Sequence, residues 1–301
     1  METQDKLISG LILRSQGGFY QVRADEGEYQ CRGRGRFRKE AVRLLVGDRV
    51  TVQPTGPDTG SIVQIHKRDN FLIRPPVANL TRLALVVSAA QPAPNLLVVD
   101  KLTAIAARRG IPIELVFTKS DLADTAALAD IYSKSGFPVY RVDSLSGEGI
   151  PAVREAFAQG VTAFCGNSGA GKSTLLSALF PQLELATGEI SRKLGRGRHT
   201  TRHVELFPTD AGGYIADTPG FSAVDLLRFE RMTADKLAEC FPEFAPYAAD
   251  CRFAGCSHRV EKGCAVIRAV ESGDIPRSRH QSYRAIYEEL GDIKEWELDG
   301  P

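Results

Sequence analysis

The chain has 301 residues, of which 43% are hydrophobic and 25% charged. This length exceeds one typical core and predicts two or three domains, and the composition excludes disorder on a large scale. No apolar run approaches the ~20 residues of a membrane helix, and the acidic, polar N-terminus lacks the features of an export signal. We therefore expect a cytoplasmic protein that does not contact membranes.

The net charge of +1 hides an uneven distribution of charge. Met1 to Arg68 holds 12 basic and 8 acidic residues, Cys251 to Arg284 holds 7 and 3, and Glu288 to Asp299 holds 1 and 6. Charge runs are often only solvated faces, but arginines interleaved with glycine and an aromatic residue suit contact with phosphates and bases. The arginine-rich stretch near the N-terminus comprises Arg32, Arg34, Arg36, Arg38 and Lys39, with Phe37 between them.

Five short apolar runs separated by Gly, Asp and Pro turns predict a small barrel in the first 68 residues. We expect this barrel to contact RNA; the alternative is a barrel that only packs on the next domain. The predicted strands are Leu7–Arg14, Phe19–Ala24, Tyr29–Arg32, Arg49–Pro54 and Gly60–His66.

The middle of the chain alternates strands and helices, which is the rhythm of a parallel sheet covered by helices. Strands are predicted near residues 83, 111, 138, 161 and 213, and helices near 96, 122, 152 and 172, with further sheet at Val204–Phe207.

One strand–loop–helix unit contains a phosphate-binding loop, GNSGAGKS. Its glycines allow backbone N–H groups to surround phosphate oxygens, Lys172 supplies a charge for the terminal phosphates and for catalysis, and the Ser173 hydroxyl suits magnesium. A strand at Val161–Cys165 and a helix at Ser173–Phe180 supply the required flanks, whereas a bare glycine-rich turn would not need them. The predicted nucleotide-binding set of this loop is Gly166, Asn167, Ser168, Gly169, Ala170, Gly171, Lys172, Ser173 and Thr174.

A second nucleotide motif, DTPG, follows a predicted strand at Gly213–Asp217. Asp217 is predicted to hold magnesium through water, and the Gly220 N–H to sense the terminal phosphate.

A third motif, TKSD at Thr118, Lys119, Ser120 and Asp121, follows the apolar run 111–117. The Asp121 carboxylate can accept two hydrogen bonds that guanine offers and adenine does not, while the Lys119 stem packs along the base. The alternative is that Asp121 is only the N-cap of the next helix. A later loop, DSLSGEG at 143–149, either completes the base pocket through Ser144 or nearby backbone, or is an ordinary loop.

Three cysteines and one histidine are closely spaced in the pattern C-x4-C-x-H-x5-C. Three thiolates and one imidazole complete a tetrahedral, structural zinc site, and a short arginine-rich segment has little core of its own. Buried thiols or a redox pair are the alternative. The predicted ligands are Cys251, Cys256, His258 and Cys264, and the helix predicted after them, 276–290, carries Arg277, Arg279, His280 and Arg284 as exposed RNA contacts.

Phe221 stands where Ras-like GTPases have the glutamine that orients the attacking water. The loop 192–203 offers replacements. Thr200 or Thr201 is predicted to close on magnesium. The predicted magnesium ligands are Ser173, Thr201 and Asp217. His199 is predicted to position or deprotonate the water, unless it only contacts RNA or solvent.

The order of these motifs resembles the circularly permuted GTPases of the ribosome small-subunit-dependent GTPase A (RsgA, YjeQ) family, in which the base-reading motif precedes the phosphate loop. Two further segments resemble the same family: RDNFLIRPPVAN at Arg68–Asn79 and CRFAGCSHRVEKGC at 251–264. It implies an N-terminal OB-fold, the same four zinc ligands, and His199 rather than His203 at the catalytic position. The chain departs from the family pattern at two positions. Thr118 stands where many GTPases have Asn, whose amide bridges the base loop and the phosphate loop. Thr81 stands where the family more often has Asp.

The sequence therefore predicts a multidomain α/β protein with an OB-fold barrel (1–68), a circularly permuted P-loop GTPase domain with a mostly parallel sheet (69–229) and a zinc-binding helical domain (230–301). The expected function is GTP hydrolysis by a monomer that binds the small ribosomal subunit and its rRNA, assists or checks late assembly, and leaves after hydrolysis. GTP or GDP, Mg²⁺ and one structural Zn²⁺ are the expected cofactors. A nucleotide-gated RNA-binding module and an ATP-dependent P-loop enzyme such as a kinase are the alternatives.

Overall fold

The computed structural model describes residues 7–35, 37, 42–73, 75–181, 204–217 and 233–291. Its internal contacts group the chain into two compact units. The first draws on 1–82, 156–164 and 180–219, and the second on 83–155, 165–179 and 220–301. Both units combine stretches distant in sequence, and the boundaries of the three predicted domains remain predictions. Within the described residues, no helix is long and apolar enough to cross a membrane.

The first unit contains a closed five-stranded barrel, as the turn pattern predicts. Its strands are β1 (Ile8–Gln16), β2 (Phe19–Ala24), β3 (Gly27–Gly33), β4 (Arg49–Pro54) and β5 (Thr59–Ile65). They pair in the order β1-β2-β3-β5-β4, and a β1–β4 pairing closes the ring. Alternate residues point inward and fill the barrel, because successive side chains of a strand face opposite sides. The inward set includes Ile12, Val22, Cys31, Val50, Val52 and Ile62, all fully buried.

The segment RDNFLIRPPVAN anchors the chain as it leaves the barrel. Arg68 donates two hydrogen bonds to the buried Asp48 carboxylate, at 2.6 and 2.8 Å. Asn79 adopts a left-handed backbone (φ 55°), its amide donates to the Gly47 carbonyl at 2.8 Å, and its oxygen accepts from the Asp69 N–H at 2.9 Å. Between these residues β6 (Phe71–Leu72) and β7 (Val77–Ala78) form a two-stranded antiparallel pair. The motif that supports the family resemblance therefore has a structural role.

The elements of the central region match the predicted alternation. In chain order they are β8 (Arg82–Ser88), α1 (Leu96–Arg108), β9 (Ile113–Thr118), α2 (Ala126–Lys134), β10 (Val139–Arg141), α3 (Ile150–Ala156), β11 (Val161–Gly166), α4 (Lys172–Leu179), β12 (Glu205–Pro208) and β13 (Tyr214–Asp217). In the second unit β8, β9 and β10 pair in parallel, and in the first unit β11 pairs in parallel with β13. β12 runs antiparallel, against β13 and β1.

Thr81 forms the connection between the barrel and the strand that carries the phosphate loop. Its hydroxyl oxygen accepts the N–H of Val161 at 3.0 Å, and its own N–H donates to the Val161 carbonyl at 2.9 Å. A side chain with a hydrogen-bond acceptor is needed here, and threonine supplies one as aspartate would. This contact gives Thr81 a structural role within the first unit.

The C-terminal part of the second unit is helical. It contains two 3₁₀ turns (Ala234–Cys240 and Pro242–Phe244), followed by α5 (Ala245–Ala248), α6 (Ala265–Ser272) and α7 (Arg277–Leu290). Their apolar residues form one core that also includes Ala104 of α1. Three aromatic rings at its centre pack edge to face or tilted, with centroids 4.9–5.3 Å apart: Phe241, Phe244 and Tyr283.

The prediction that α7 presents four basic residues to RNA is wrong for two of them. Arg279 is 0% exposed, and its guanidinium donates to Asp100 at 2.7 Å and to Glu243 at 2.6 Å. Burial opposes its charge, but these two carboxylates hold the pKa of Arg279 above its usual range. His280 is also buried and hydrogen-bonds the His258 carbonyl oxygen at 2.7 Å. The acidic partners of Arg279 lie 179 and 36 residues away in sequence, so the charge pattern of α7 alone could not reveal them.

Candidate functional site

The phosphate loop lies between β11 and α4 and exposes its backbone. Gly166 is buried, and a Cβ added there would lie 2.4 Å from the Val86 carbonyl oxygen, so only glycine fits beside β8. Gly169 and Gly171 have left-handed backbones, with φ of 79° and 83°. The predicted residues Asn167, Ser168 and Gly169 are exposed, Ala170 is buried, and Ser173 and Thr174 are exposed in the first turn of α4, which begins at Lys172. Such a loop at a helix N-terminus presents N–H groups to an anion.

The TKSD turn directly contacts this phosphate loop. β9 delivers Thr118 to its end, where the hydroxyl donates to the Ala170 carbonyl oxygen at 2.6 Å. The Lys119 ammonium donates to the Gly169 carbonyl at 2.9 Å and also to the carbonyl of Gln91, a residue that the motif analysis did not identify. Lys119 itself has a left-handed backbone (φ 59°), which non-glycine residues adopt rarely and mostly at constrained sites. The TKSD turn and the phosphate loop, about fifty residues apart in sequence, are therefore in direct contact within the second unit.

Thr118 makes the bridge that the asparagine makes in many GTPases. Threonine lacks the amide of asparagine, but its hydroxyl reaches the Ala170 carbonyl of the phosphate loop. Both the Thr118 side chain and the Ala170 residue are buried, at 1% exposure. A buried carbonyl that loses its donor costs ~1–3 kcal/mol, so this contact holds the two loops together.

Replacing Thr118 with valine tests this bridge, because valine keeps the shape and removes the donor. We expect nucleotide affinity to fall roughly tenfold, since ~1.4 kcal/mol corresponds to a factor of ten. Thr118→Ser keeps the hydroxyl and should retain most of the affinity. Titration of each variant with a fluorescent guanine nucleotide measures both, and equal affinities for the valine and wild-type proteins would contradict the proposed bridge.

The interpretation of Asp121 as a helix N-cap is wrong. α2 begins at Ala126 and its N-cap is Thr125, four residues beyond Asp121. Asp121 is instead exposed in the turn that follows β9. The turn is linked to the next predicted base loop, because the Ser120 N–H donates to the Val142 carbonyl at 3.3 Å.

That second loop, 143–149, is a tight turn organised by Asp143. Its carboxylate accepts the N–H groups of Leu145 and Ser146 at 2.9 and 3.1 Å. Hydrogen bonds from Ser146 and Leu145 hold the pKa of Asp143 below its ordinary value, so the acceptor stays ionised near neutral pH. The Ser144 hydroxyl is buried and has no hydrogen-bond partner among the described residues. A buried hydroxyl without a partner is costly, which fits a contact completed by a bound ligand.

Part of the predicted catalytic set lies outside the described residues. β13 ends at Asp217, as DTPG predicts, but the side chain of Asp217 is not described. Gly220, His199, Thr200 and Thr201 are likewise outside the described residues, as are the basic Arg36, Arg38 and Lys39. Their roles stay predictions.

The Cys₃His cluster has the geometry of a tetrahedral zinc site. Cys251, Cys256, His258 and Cys264 place their ligand atoms within 4.8 Å of one another. The Cys251 and Cys264 sulfurs are 3.8 Å apart, and His258 Nδ1 lies 3.5 and 3.4 Å from them. Zn–S of ~2.3 Å and Zn–N of ~2.0–2.1 Å at tetrahedral angles require S···S of about 3.8 Å and S···N of about 3.6 Å. The donor set fits zinc, and the spacing of Cys251, His258 and Cys264 matches these values.

The loop between these ligands is held by Glu261. Its carboxylate accepts from the N–H groups of Ser257, Arg259 and Val260 at 2.8, 3.0 and 3.1 Å, and from the Ser257 hydroxyl. Burial opposes its ionisation, but these hydrogen bonds lower the pKa of Glu261 to about 2. Burial also lowers the pKa of His258, which favours the neutral imidazole that zinc binds. Sequence spacing identified the ligands but not this support, which depends on the folded loop.

The three remaining cysteines are buried and are not members of this cluster. Burial raises the pKa of Cys165 to about 12, and of Cys31 and Cys240 to about 11. A thiol that stays protonated at neutral pH is a poor nucleophile. Cys165, although it directly precedes the phosphate loop, therefore has a packing role.

The comparisons with known families match this geometry. The model for the RsgA GTPase matches residues 65–227, and the model for the RsgA N-terminal domain matches residues 9–62. The chain belongs to the RsgA GTPase family. This confirms the resemblance, the circularly permuted GTPase fold and GTP hydrolysis as the family's reaction.

Curated relatives of this family cover nearly the whole chain. The small ribosomal subunit biogenesis GTPase RsgA of Geobacillus kaustophilus is 41% identical over 294 residues, covering 96% of this chain and 99% of that protein. The protein of the same name from Moorella thermoacetica is 40% identical over 285 residues, covering 94% and 97%. Two solved RsgA-family structures are also similar. YjeQ from Thermotoga maritima has a TM-score of 0.83 at 30% identity, covering 96% of this chain and 100% of that one. YloQ, a circularly permuted GTPase, has 0.80 at 32%, covering 98% and 99%.

Proposed function

We propose that this protein is a GTP hydrolase that acts in biogenesis of the small ribosomal subunit, binds that subunit and its rRNA, and is released after hydrolysis. The observation that carries the proposal is the contact of the TKSD turn with the phosphate loop through Thr118 and Lys119. It brings a base-reading and a phosphate-binding motif together in the permuted order. The names of the curated relatives support the ribosomal part.

The nucleotide site is assigned to the loops described above. Asp121 pairs with guanine N1–H and the 2-amino group, and the Ser144 hydroxyl or neighbouring backbone closes the base pocket. The backbone of 166–171 and the Lys172 ammonium bind the phosphates. The hydroxyls of Ser173 and Thr201 and, through water, the Asp217 carboxylate would hold Mg²⁺, which would neutralise charge on the phosphates.

The zinc cluster is proposed to be structural, because four protein ligands leave no open position. It stabilises a module whose exposed arginines, Arg277 and Arg284, are available to rRNA. The barrel supplies a second RNA contact through its basic residues. We place the protein in the cytoplasm, because its proposed partner is the ribosomal subunit. We also propose that it acts as a monomer.

GTP turnover measured with and without ribosomal subunits tests the proposal. We expect slow turnover by the protein alone, marked stimulation by small subunits, and none by large subunits, which serve as the matched control. Stimulation is expected because a bound partner can position catalytic groups around the nucleotide. Equal turnover with all three additions would refute the ribosomal assignment.

The same assay separates an enzyme from a nucleotide-gated RNA-binding module. A positioned general base contributes ~10²–10⁴-fold, so His199→Ala should remove most of the stimulated rate. His203→Ala, four positions away in the same loop, is the control and should keep it. If His199→Ala leaves stimulated turnover unchanged while the subunit still binds, hydrolysis is incidental and the RNA-binding module is the better description.

A further inference from the structure

Gln91 has a strained backbone that no sequence motif explains. Non-glycine residues adopt left-handed backbones rarely and mostly at constrained sites, and the described residues include four of them: Asn79, Gln91, Lys119 and His258. Asn79 anchors the chain as it leaves the barrel, Lys119 belongs to the TKSD turn, and His258 belongs to the Cys₃His cluster. Gln91 (φ 44°) lies in the turn between β8 and α1 with its side chain exposed, so side-chain packing does not account for its conformation.

The Gln91 carbonyl oxygen holds the Lys119 ammonium. Lys119 donates to carbonyl oxygens on two different loops, to that of Gln91 in the 89–95 turn and to that of Gly169 in the phosphate loop, the latter at 2.9 Å. Two fixed acceptors define the position of an ammonium group that otherwise moves freely on a flexible four-carbon stem. The direction of the Lys119 stem is therefore set by the 89–95 turn as well as by the phosphate loop.

The 89–95 turn is fixed at three points. The Ala89 N–H donates to the Thr118 carbonyl oxygen, at the end of β9, at 2.9 Å. The Asn95 side chain caps the N-terminus of α1. Pro92 lies against the phosphate loop, since a Cβ added to Gly169 would be 3.4 Å from Pro92 Cδ. Because its neighbours are anchored in this way, a change in the backbone of residue 91 moves the carbonyl that Lys119 binds.

We propose that Gln91 is a positioning residue for guanine nucleotides. Its carbonyl holds the Lys119 ammonium, so that the Lys119 stem lies along the base whose edge pairs with Asp121. This role rests on the proposed function for the identity of the nucleotide. Because the contact acts through the base-reading turn and not through the terminal phosphate, it stabilises bound GDP and GTP equally and leaves the hydrolytic step unchanged.

Substitutions at Gln91 that differ in their tolerance of a left-handed backbone test this role in the full-length protein. Asparagine adopts that backbone more readily than most residues, whereas β-branched valine strongly disfavours it. We expect Gln91→Val to weaken both GDP and GTP roughly tenfold, the factor that corresponds to the left-handed penalty, and Gln91→Asn to stay within about twofold of the wild-type protein. Titration with fluorescent GDP and GTP measures affinity, and stopped-flow release of fluorescent GDP should show the loss as faster dissociation. In GTP turnover, Gln91→Val should raise KM and leave kcat unchanged.

A double-mutant cycle separates positioning from a general loss of structure. Lys119→Met removes the ammonium and keeps an apolar stem, so Gln91→Val should have little further effect on GDP affinity in that background. Asp124→Asn is the control background, because Asp124 follows the same TKSD motif but accepts the Ala126 N–H, and there Gln91→Val should keep its full effect. Thermal unfolding without nucleotide verifies that each variant is folded. Gln91→Ala, which has a smaller backbone penalty, takes the place of the valine variant in the cycle if valine prevents folding.

Three results would overturn this role. The first is wild-type GDP affinity and dissociation in Gln91→Val. The second is an equal loss of affinity in the Lys119→Met and Asp124→Asn backgrounds, which would mean that the turn only supports the fold. The third is a fall in kcat with KM unchanged, which would place Gln91 in the hydrolytic step. A wild-type protein that binds neither GDP nor GTP contradicts the proposed function and this role together, whereas normal nucleotide binding by Gln91→Val contradicts this role alone.

Discussion

Removal of zinc is expected to unfold the C-terminal module of the second unit. Structural zinc contributes an apparent ~10–16 kcal/mol at neutral pH, which exceeds the total stability of most domains. The core of this module includes Cys264 itself and continues from Phe241 and Phe244 to Ala104 of α1, so loss of the module also exposes α1. We expect chelation, or Cys256→Ser, to lower the melting temperature and open residues 251–290 to proteolysis.

Cys240→Ser is the matched control for this experiment. Cys240 is buried in the same core and lies outside the four-residue cluster. Elemental analysis should find one zinc ion per chain in the wild-type and Cys240→Ser proteins, and none in Cys256→Ser. A full complement of zinc in Cys256→Ser, or unchanged protease resistance after chelation, would rule out the proposed structural site.

Asp121→Asn is expected to shift the protein from guanine to xanthine nucleotides. The carboxylate loses two charge-assisted hydrogen bonds of ~1.5–3 kcal/mol each, which corresponds to a fall in GTP affinity of about 10²- to 10⁴-fold. The asparagine can instead donate to the 2-oxo group of xanthine, so affinity for xanthosine triphosphate should rise. Competition titrations against a fluorescent nucleotide measure both changes.

Asp124→Asn is the control, because it makes the same substitution three residues later in the same loop. Asp124 accepts the N–H of Ala126 at 2.8 Å, so this change should affect the start of α2 and not base selection. ATP should compete poorly with the wild-type protein. Strong competition by ATP, together with no effect of Asp121→Asn, would favour an ATP-dependent P-loop enzyme and contradict guanine recognition by Asp121.

Most of the fold could be predicted from local patterns. The five barrel strands and the strands and helices of the central region appear within a few residues of their predicted ends, because period-two and helical patterns and Gly or Pro turns are local signals. The Cys₃His cluster was located for the same reason, since its four residues lie within fourteen positions of the chain. Chemistry that is encoded over short distances along the chain can be interpreted without coordinates.

Contacts between distant segments required the folded structure. Arg279 looks like a surface residue of a basic helix, yet its pairing with Asp100 and Glu243 buries it completely. Thr118 looks like a loss of the asparagine bridge, yet its hydroxyl reaches Ala170, 52 residues later. In both cases a side chain is interpreted wrongly because its partner comes from another element.

Residue types, spacing and motif order predicted the permuted GTPase fold and a cluster of three cysteines and one histidine, because these depend on which groups are present and in what succession. Three-dimensional packing established which groups share a neighbourhood: the base turn with the phosphate loop, and Arg279 with two acids. The physical reason is that a charge or hydrogen-bonding group acquires its role from the atoms within a few ångströms of it, and folding rather than sequence proximity selects those atoms.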